Sequence, residues 1–213
     1  MNDLTRDFDK AAEKWDENPG RVKLAEDVSG AILAQVPFSA DMDVLDFGCG
    51  TGLVMLKIAP LVRSATGADS SGKMLEVMAA KAEQLGLTNV RARKLHDGQP
   101  LTGAYDVIIS GMTLHHVARV DEALKQMYQA LKPPGILCLA DLDPEQGQFH
   151  GDNAGVVHFG FDRAAMRQSL ARAGFVNIRD MTAAEVVKPV QGGANRAFTV
   201  FLMIAEKNKL NEI

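Results

Sequence analysis

The stretch VLDFGCGTG, residues 44–52, runs four strand-forming residues into a loop with three glycines in five positions. Gly48, Gly50 and Gly52 free the backbone to adopt φ > 0 and to pass close to a ligand. The glycines alone fit a tight turn, a phosphate site or a cofactor without a phosphate. What surrounds them narrows the choice.

Strands and helices alternate outward from this loop. Upstream, residues 3–17 read as a helix, broken at Asn18-Pro19-Gly20, and a second helix carries Leu24, Val28, Ile32 and Val36 on one face. Downstream, a helix is expected through Leu53, Leu56, Ile58 and Leu61, then a short strand over 64–68 ending at Asp69. Ser70 and Ser71 can cap the next helix, and Gly86 ends it. Further strands are expected over 90–95, 105–110 and 136–142, with a helix over 120–131. Residues 143–160 read as an irregular insertion. A helix capped by Asp162 follows, and two strands near 176–187 and 198–205 pair as an antiparallel hairpin. The pattern predicts one α/β domain over 1–213, an open, mostly parallel sheet with helices on both faces. Residues 1–37 form its N-terminal helical cap, and 143–160 a lid after the fifth strand.

The 213-residue chain is long enough for a full core, and 46% hydrophobic with 23% charged residues is ordinary globular composition. A net charge of -4 and a pI near 5.7 offer no electrostatic footprint for nucleic acid or an anionic membrane. The acidic N-terminus lacks an apolar stretch typical of a signal peptide, and no run is long enough to span a bilayer. Cys49 and Cys138 fall on strands separated by one neighbour, about 10 Å apart at a strand spacing of ~4.8 Å. That is beyond disulfide reach, and a reduced, cytoplasmic protein is expected.

In such sheets ligands bind at the carboxyl ends of the strands. Asp69, 17 residues beyond Gly52, stands where an acid accepts hydrogen bonds from both hydroxyls of an unmodified ribose. The dinucleotide fingerprint GxGxxG is absent, since the spacing here is GxGxG. Asp46, two residues before Gly48, repels a pyrophosphate but suits a cation or an ammonium group. The Gly-Lys-Ser/Thr ending of a phosphate loop is missing as well. A nicotinamide oxidoreductase is thereby disfavoured.

DFGCGTG, GADSS, HDGQPL, YDVIISGMTLHHV and ALKPPGILCLADLD, in that order and spacing, resemble class I S-adenosylmethionine-dependent methyltransferases. The tail HFGFDRAAMRQSLARAGF is similar to the small-molecule, type 11/12-like branch. The resemblance implies a Rossmann-like seven-stranded sheet of order 3-2-1-4-5-7-6, strand 7 antiparallel. It also implies S-adenosyl-L-methionine as cofactor, with S-adenosyl-L-homocysteine as product. Asp46 and the backbone of Gly48, Cys49, Gly50 and Gly52 would then hold the methionine portion. Asp69 would take the ribose hydroxyls, with Ser70 and Met74 beside the adenine. His96 and Asp97 match the contact to the adenine amino group, although HDGQPL departs from the usual Gly-Asp-Ala form. Ser110 would face the sulfur end.

The implied activity is transfer of a methyl group to a small organic acceptor by in-line displacement. Such a reaction needs orientation and exclusion of water, and a base only when the acceptor must lose a proton. His115 and His116 follow the fourth strand, where they either supply that base or only shape the rim. Trp15, Phe149, His150, His158 and Phe159 either close over the acceptor or pack the lid. The histidines show no metal-ligand spacing, and no metal is expected. The alternative is a module of the same fold that binds the cofactor without transfer. Nucleic-acid methylation is opposed by the charge and by Ser110-Gly111-Met112-Thr113, where that branch carries Asn/Asp-Pro-Pro-Tyr.

Overall fold

The computed structural model describes residues 7–96, 99–190 and 193–208. Seven strands form one sheet: β1 Asp43–Phe47, β2 Ser64–Asp69, β3 Val90–Lys94, β4 Tyr105–Gly111, β5 Leu131–Leu142, β6 Val176–Pro189 and β7 Asn195–Lys207. Their order is β3-β2-β1-β4-β5-β7-β6, as the resemblance implies. β1 to β5 are mutually parallel, while β7 runs antiparallel to both β5 and β6.

The sheet separates two cores because alternate strand residues point to opposite faces. Val44, Val107 and Ile109 pack on α2 (Pro19–Gln35), α3 (Met55–Ile58) and α4 (Gly72–Gln84) through Ile32, Met55 and Met78. Leu45 and Ile108 pack on α5 (Val120–Ala130) and α6 (Arg163–Ala173) through Leu124, Met127 and Leu170. Central strands covered on both faces lose the apolar–polar alternation of a half-exposed strand. Val44, Leu45 and Asp46 in β1 are accordingly all buried.

Several boundaries differ from the sequence reading. The N-terminal segment is α1 (Phe8–Ala11) followed by a 3-10 turn, Ala12–Glu17, rather than one continuous helix. Asn18 caps α2 as well as ending the turn: its side chain accepts from the Gly20 and Arg21 amides, and Pro19 opens the helix. The helix expected through Leu61 narrows to α3 and a 3-10 turn containing Pro60, which has no N–H to continue it. The closing hairpin is longer than expected at both strands.

Candidate functional site

The glycine loop and the end of β2 interlock at the carboxyl edge. The amides of Gly48 and Cys49 donate to the Ala68 carbonyl at 2.7 and 3.1 Å. Gly48, Gly50 and Gly52 have φ of 75°, 53° and 80°. At Gly48 a side chain is excluded by space too, since a Cβ would lie 2.1 Å from Thr113 Cγ2.

Two carboxylates face this loop. Asp69 accepts from the Gly50 amide through Oδ2 and the Ser71 amide through Oδ1, each at 2.8 Å. Each oxygen keeps a lone pair for another donor. Burial raises the Asp69 pKa, against the pull of these amides. Asp46 is 3% exposed, and no hydrogen bond reaches its carboxylate among the described residues. Burial, with the nearby Asp69 charge, pushes its pKa up to about 7. The Ser110 hydroxyl is also fully buried and has no hydrogen-bond partner among the described residues. Met74 is 1% exposed, outside both main cores, and Ser70 and His96 are exposed. Asp97 lies outside the described residues.

The N-terminal segment crosses the mouth of the loop. Asp9 accepts from the Ser71 hydroxyl and from the Lys73 amide at the start of α4. Asp16 accepts from the Thr51 hydroxyl and from Lys81, each at 2.6 Å. Phe8 meets the His116 ring edge-on at 5.1 Å, and Arg21 stacks on Trp15 at 3.9 Å. Trp15 therefore sits in the cap, against Phe8 and Arg21. The sequence reading missed Asp9 and Asp16, whose partners are distant in the chain and leave no periodic trace.

His115 and His116 occupy a short 3-10 turn after β4 (Leu114–His116). His115 is 1% exposed, and its Nδ1 lies 2.7 Å from Oδ1 of Asp141 near the end of β5. His116 Nδ1 lies 2.7 Å from the Gly155 carbonyl of the insertion. Ring centroids of His115 and His116 are 4.1 Å apart, with His150 5.1 Å from His115. The structure thus brings His115, His116 and His150 together. Among the described residues no group of three or more His, Cys, Asp or Glu could hold a metal.

The other expected lid residues separate. Phe149 is buried against Phe198 in the β6–β7 hairpin, with Lys188 3.5 Å above its ring. His158 lies beside Phe161, its Nε2 3.0 Å from the Val117 carbonyl. Phe159 is 46% exposed. Asp141 and Glu145, both buried, were missed. An acid inside the apolar run ILCLADL was the available signal for Asp141. Clefts of about 490 Å³ between α5 and α6 and about 270 Å³ along α4 and β3 are lined by no residue of the glycine loop itself.

A family model described as a methyltransferase domain matches residues 38–175. An uncharacterized methyltransferase of Schizosaccharomyces pombe is 30% identical over 135 residues, 56% of this chain and 48% of that protein. A ubiquinone biosynthesis O-methyltransferase of Caulobacter vibrioides is 32% identical over 161 residues, 66% of this chain and 62% of that protein. The chain thus spans about half to three fifths of these relatives. Among solved structures, the YcgJ protein of Bacillus subtilis superposes with a TM-score of 0.72 at 16% identity. That match covers 87% of this chain and 100% of YcgJ, and it shows a shared fold.

Proposed function

This chain belongs to the class I S-adenosylmethionine-dependent methyltransferase family, and we propose that it transfers a methyl group from S-adenosylmethionine to a small organic acceptor. The observation that carries the proposal is Asp46, a buried carboxylate at the glycine loop with no donor among the described residues. A buried acid without a partner is costly to a fold, and a bound ammonium group would supply what it lacks. The remaining lone pairs of Asp69 suit ribose hydroxyls, and the unpartnered hydroxyl of Ser110 suits a polar group of a ligand. These residues fit the cofactor. Met74 and Ser70 are assigned beside the adenine, with His96 and Asp97 at its amino group.

When bound, S-adenosylmethionine supplies a methyl carbon on a positively charged sulfur that leaves with the bonding pair as S-adenosylhomocysteine. The chain's task is to orient the acceptor and exclude water. His115 and His116 at the rim are the candidates to take a proton, and His150 of the insertion lies against them. The Caulobacter relative's name supports a small-molecule acceptor, as does the absence of a basic footprint in a chain of net charge -4. Cys49 and Cys138 are buried and unbridged, which fits a reducing compartment such as the cytoplasm. No helix among the described residues is long and apolar enough to cross a membrane.

Calorimetry with S-adenosylhomocysteine tests the reading. Binding by the native chain, weakened by Asp69→Ala, is expected. No heat at ligand concentrations far above micromolar would overturn it.

A further inference from the structure

Methyl transfer as described above makes no use of Asp141, a carboxylate on the strand next to the histidine rim. It is 0% exposed and accepts three hydrogen bonds: from His115 Nδ1 at 2.7 Å, from the His115 amide at 3.2 Å and from the Leu142 amide at 2.8 Å. On the other side, the His115 carbonyl accepts from the Val157 and His158 amides at 2.9 and 3.1 Å. Backbone and ring of His115 are therefore clamped between the end of β5 and the insertion. An ionised carboxylate only accepts, so the hydrogen in the Asp141 contact belongs to Nδ1. In the neutral ring that leaves Nε2 as a bare acceptor, and no hydrogen bond to Nε2 is found among the described residues. The imidazoles of His116 and His150 pack beside the His115 ring, with centroids 4.1 and 5.1 Å from its own.

The geometry points to Asp141 as the positioning residue that fixes the His115 proton on Nδ1 and makes Nε2 the site's proton acceptor, so that the methyl acceptor is a proton-bearing nucleophile, a hydroxyl, thiol or N–H group. The inference rests on the methyl-transfer reading. The acceptor's bond to hydrogen breaks with its electron pair kept on the nucleophilic atom, and that pair forms the new bond to the methyl carbon. The proton passes to His115 Nε2, and the resulting imidazolium stays paired with the Asp141 carboxylate. An acceptor that loses no proton, such as a thioether or tertiary amine, needs none of this apparatus.

The test begins with no substrate. Long-range proton–nitrogen spectra of the full chain, labelled at histidine nitrogens and assigned with His115→Gln, report which ring nitrogen carries hydrogen. Native protein is expected to show His115 protonated on Nδ1, Asp141→Glu to retain that state and Asp141→Ala to lose it. Should Asp141→Ala not fold, the native spectrum still decides. A native His115 carrying its proton on Nε2, or a tautomer unmoved in Asp141→Ala, overturns the inference. S-adenosylhomocysteine calorimetry on the same variants, expected within about twofold of native, separates it from the parent reading: absent binding by native protein sinks that reading and leaves the tautomer result standing. In a turnover arm with a phenol, a thiol, a secondary amine and a dialkyl thioether as probes, any probe accepted should bear a proton. Its rate should fall about a hundredfold or more in His115→Gln. Transfer to the thioether by native protein overturns the inference.

Discussion

Asp46→Asn tests the core of the functional reading, because the two forms of this carboxyl are worth opposite amounts to the fold and to the ligand. In the free protein the Asp46 pKa is about 7, against 3.8 for an ordinary aspartate. A cationic ligand beside it favours the charged form and pulls that value down. With a bound value well below 6, the ionised fraction that limits binding rises from about one-eleventh at pH 6 to about ten-elevenths at pH 8. The dissociation constant for S-adenosylhomocysteine should fall about tenfold over that interval, ~1.4 kcal/mol. Asp46→Asn should abolish the trend and bind at least about tenfold more weakly at pH 8. Any titration of the ligand itself is common to both proteins, so the difference between the two profiles isolates Asp46. Stability without ligand should move the other way. A carboxyl whose folded pKa is raised contributes stability below the unfolded value, and that contribution is lost as pH rises from about 4 to 7. Asp46→Asn should therefore be more stable than native at pH 8, by at most on the order of 4 kcal/mol, and near equal at pH 4. Calorimetry gives the first quantity and urea denaturation the second. A flat native binding profile, or a slope that survives in Asp46→Asn, would refute the assignment.

Gly50→Ala should cost about 1–2 kcal/mol, the price of a left-handed residue, because no atom lies within 4 Å of the added Cβ. Gly48→Ala, driven into Thr113, should cost clearly more; equal losses in Tm would contradict the packing argument. Asp16→Ala should cost only about 1 kcal/mol globally, its ion pair being part-exposed, yet hydrogen exchange should rise in residues 8–17 and in the glycine loop. Unchanged exchange there would show that Asp16 does not hold the cap. Asp43→Ala should cost about 2–3 kcal/mol at pH 7, since Arg63, Ser64 and Lys132 all donate to Asp43. Those partners hold its carboxyl well below the usual range, so its stabilisation exists above about pH 4 and is lost as pH falls. Asp43→Ala should therefore unfold in acid at a higher pH than native protein, and an identical acid midpoint in the two would count against the network.

What the sequence made legible is what local chemistry dictates. The glycines, the acids at the ends of β1 and β2, and the alternation of strands and helices are written in neighbouring residues, and the ordered motifs carry the sheet order. Contacts between distant segments were not legible. Asp9 and Asp16 look like solvated acids in a polar helix, and only folding brings them to Ser71 and Thr51. Phe149 reads as a lid aromatic because the insertion is irregular, yet the insertion folds back on the closing hairpin and buries that ring against Phe198. Adjacent histidines on a strand would point apart, but a 3-10 turn at residues 114–116 brings the two rings within 4.1 Å. The turn follows Met112, whose φ of 56° breaks the strand with no glycine to announce it.

The two ends of β1 show how the fold reconciles stability with a site. Asp43 and Asp46 are three residues apart on one strand, yet Asp43 sits in a network with Arg63, Ser64 and Lys132, which also reaches Asp106. Asp106 in turn accepts from the Asp43 amide at 2.7 Å. At the other end, among the described residues, Asp46 is buried without a donor and the Ser110 hydroxyl of neighbouring β4 lacks a partner too. Selecting for stability alone would pair or replace both groups. The unsatisfied groups collect at the carboxyl edge, where parallel strands open onto a ligand crevice, while the satisfied network closes the amino edge. Placement of this kind is expected if the deficit is made good by binding, because a ligand that restores the missing partners then stabilises the folded chain through the same contacts that recognise it.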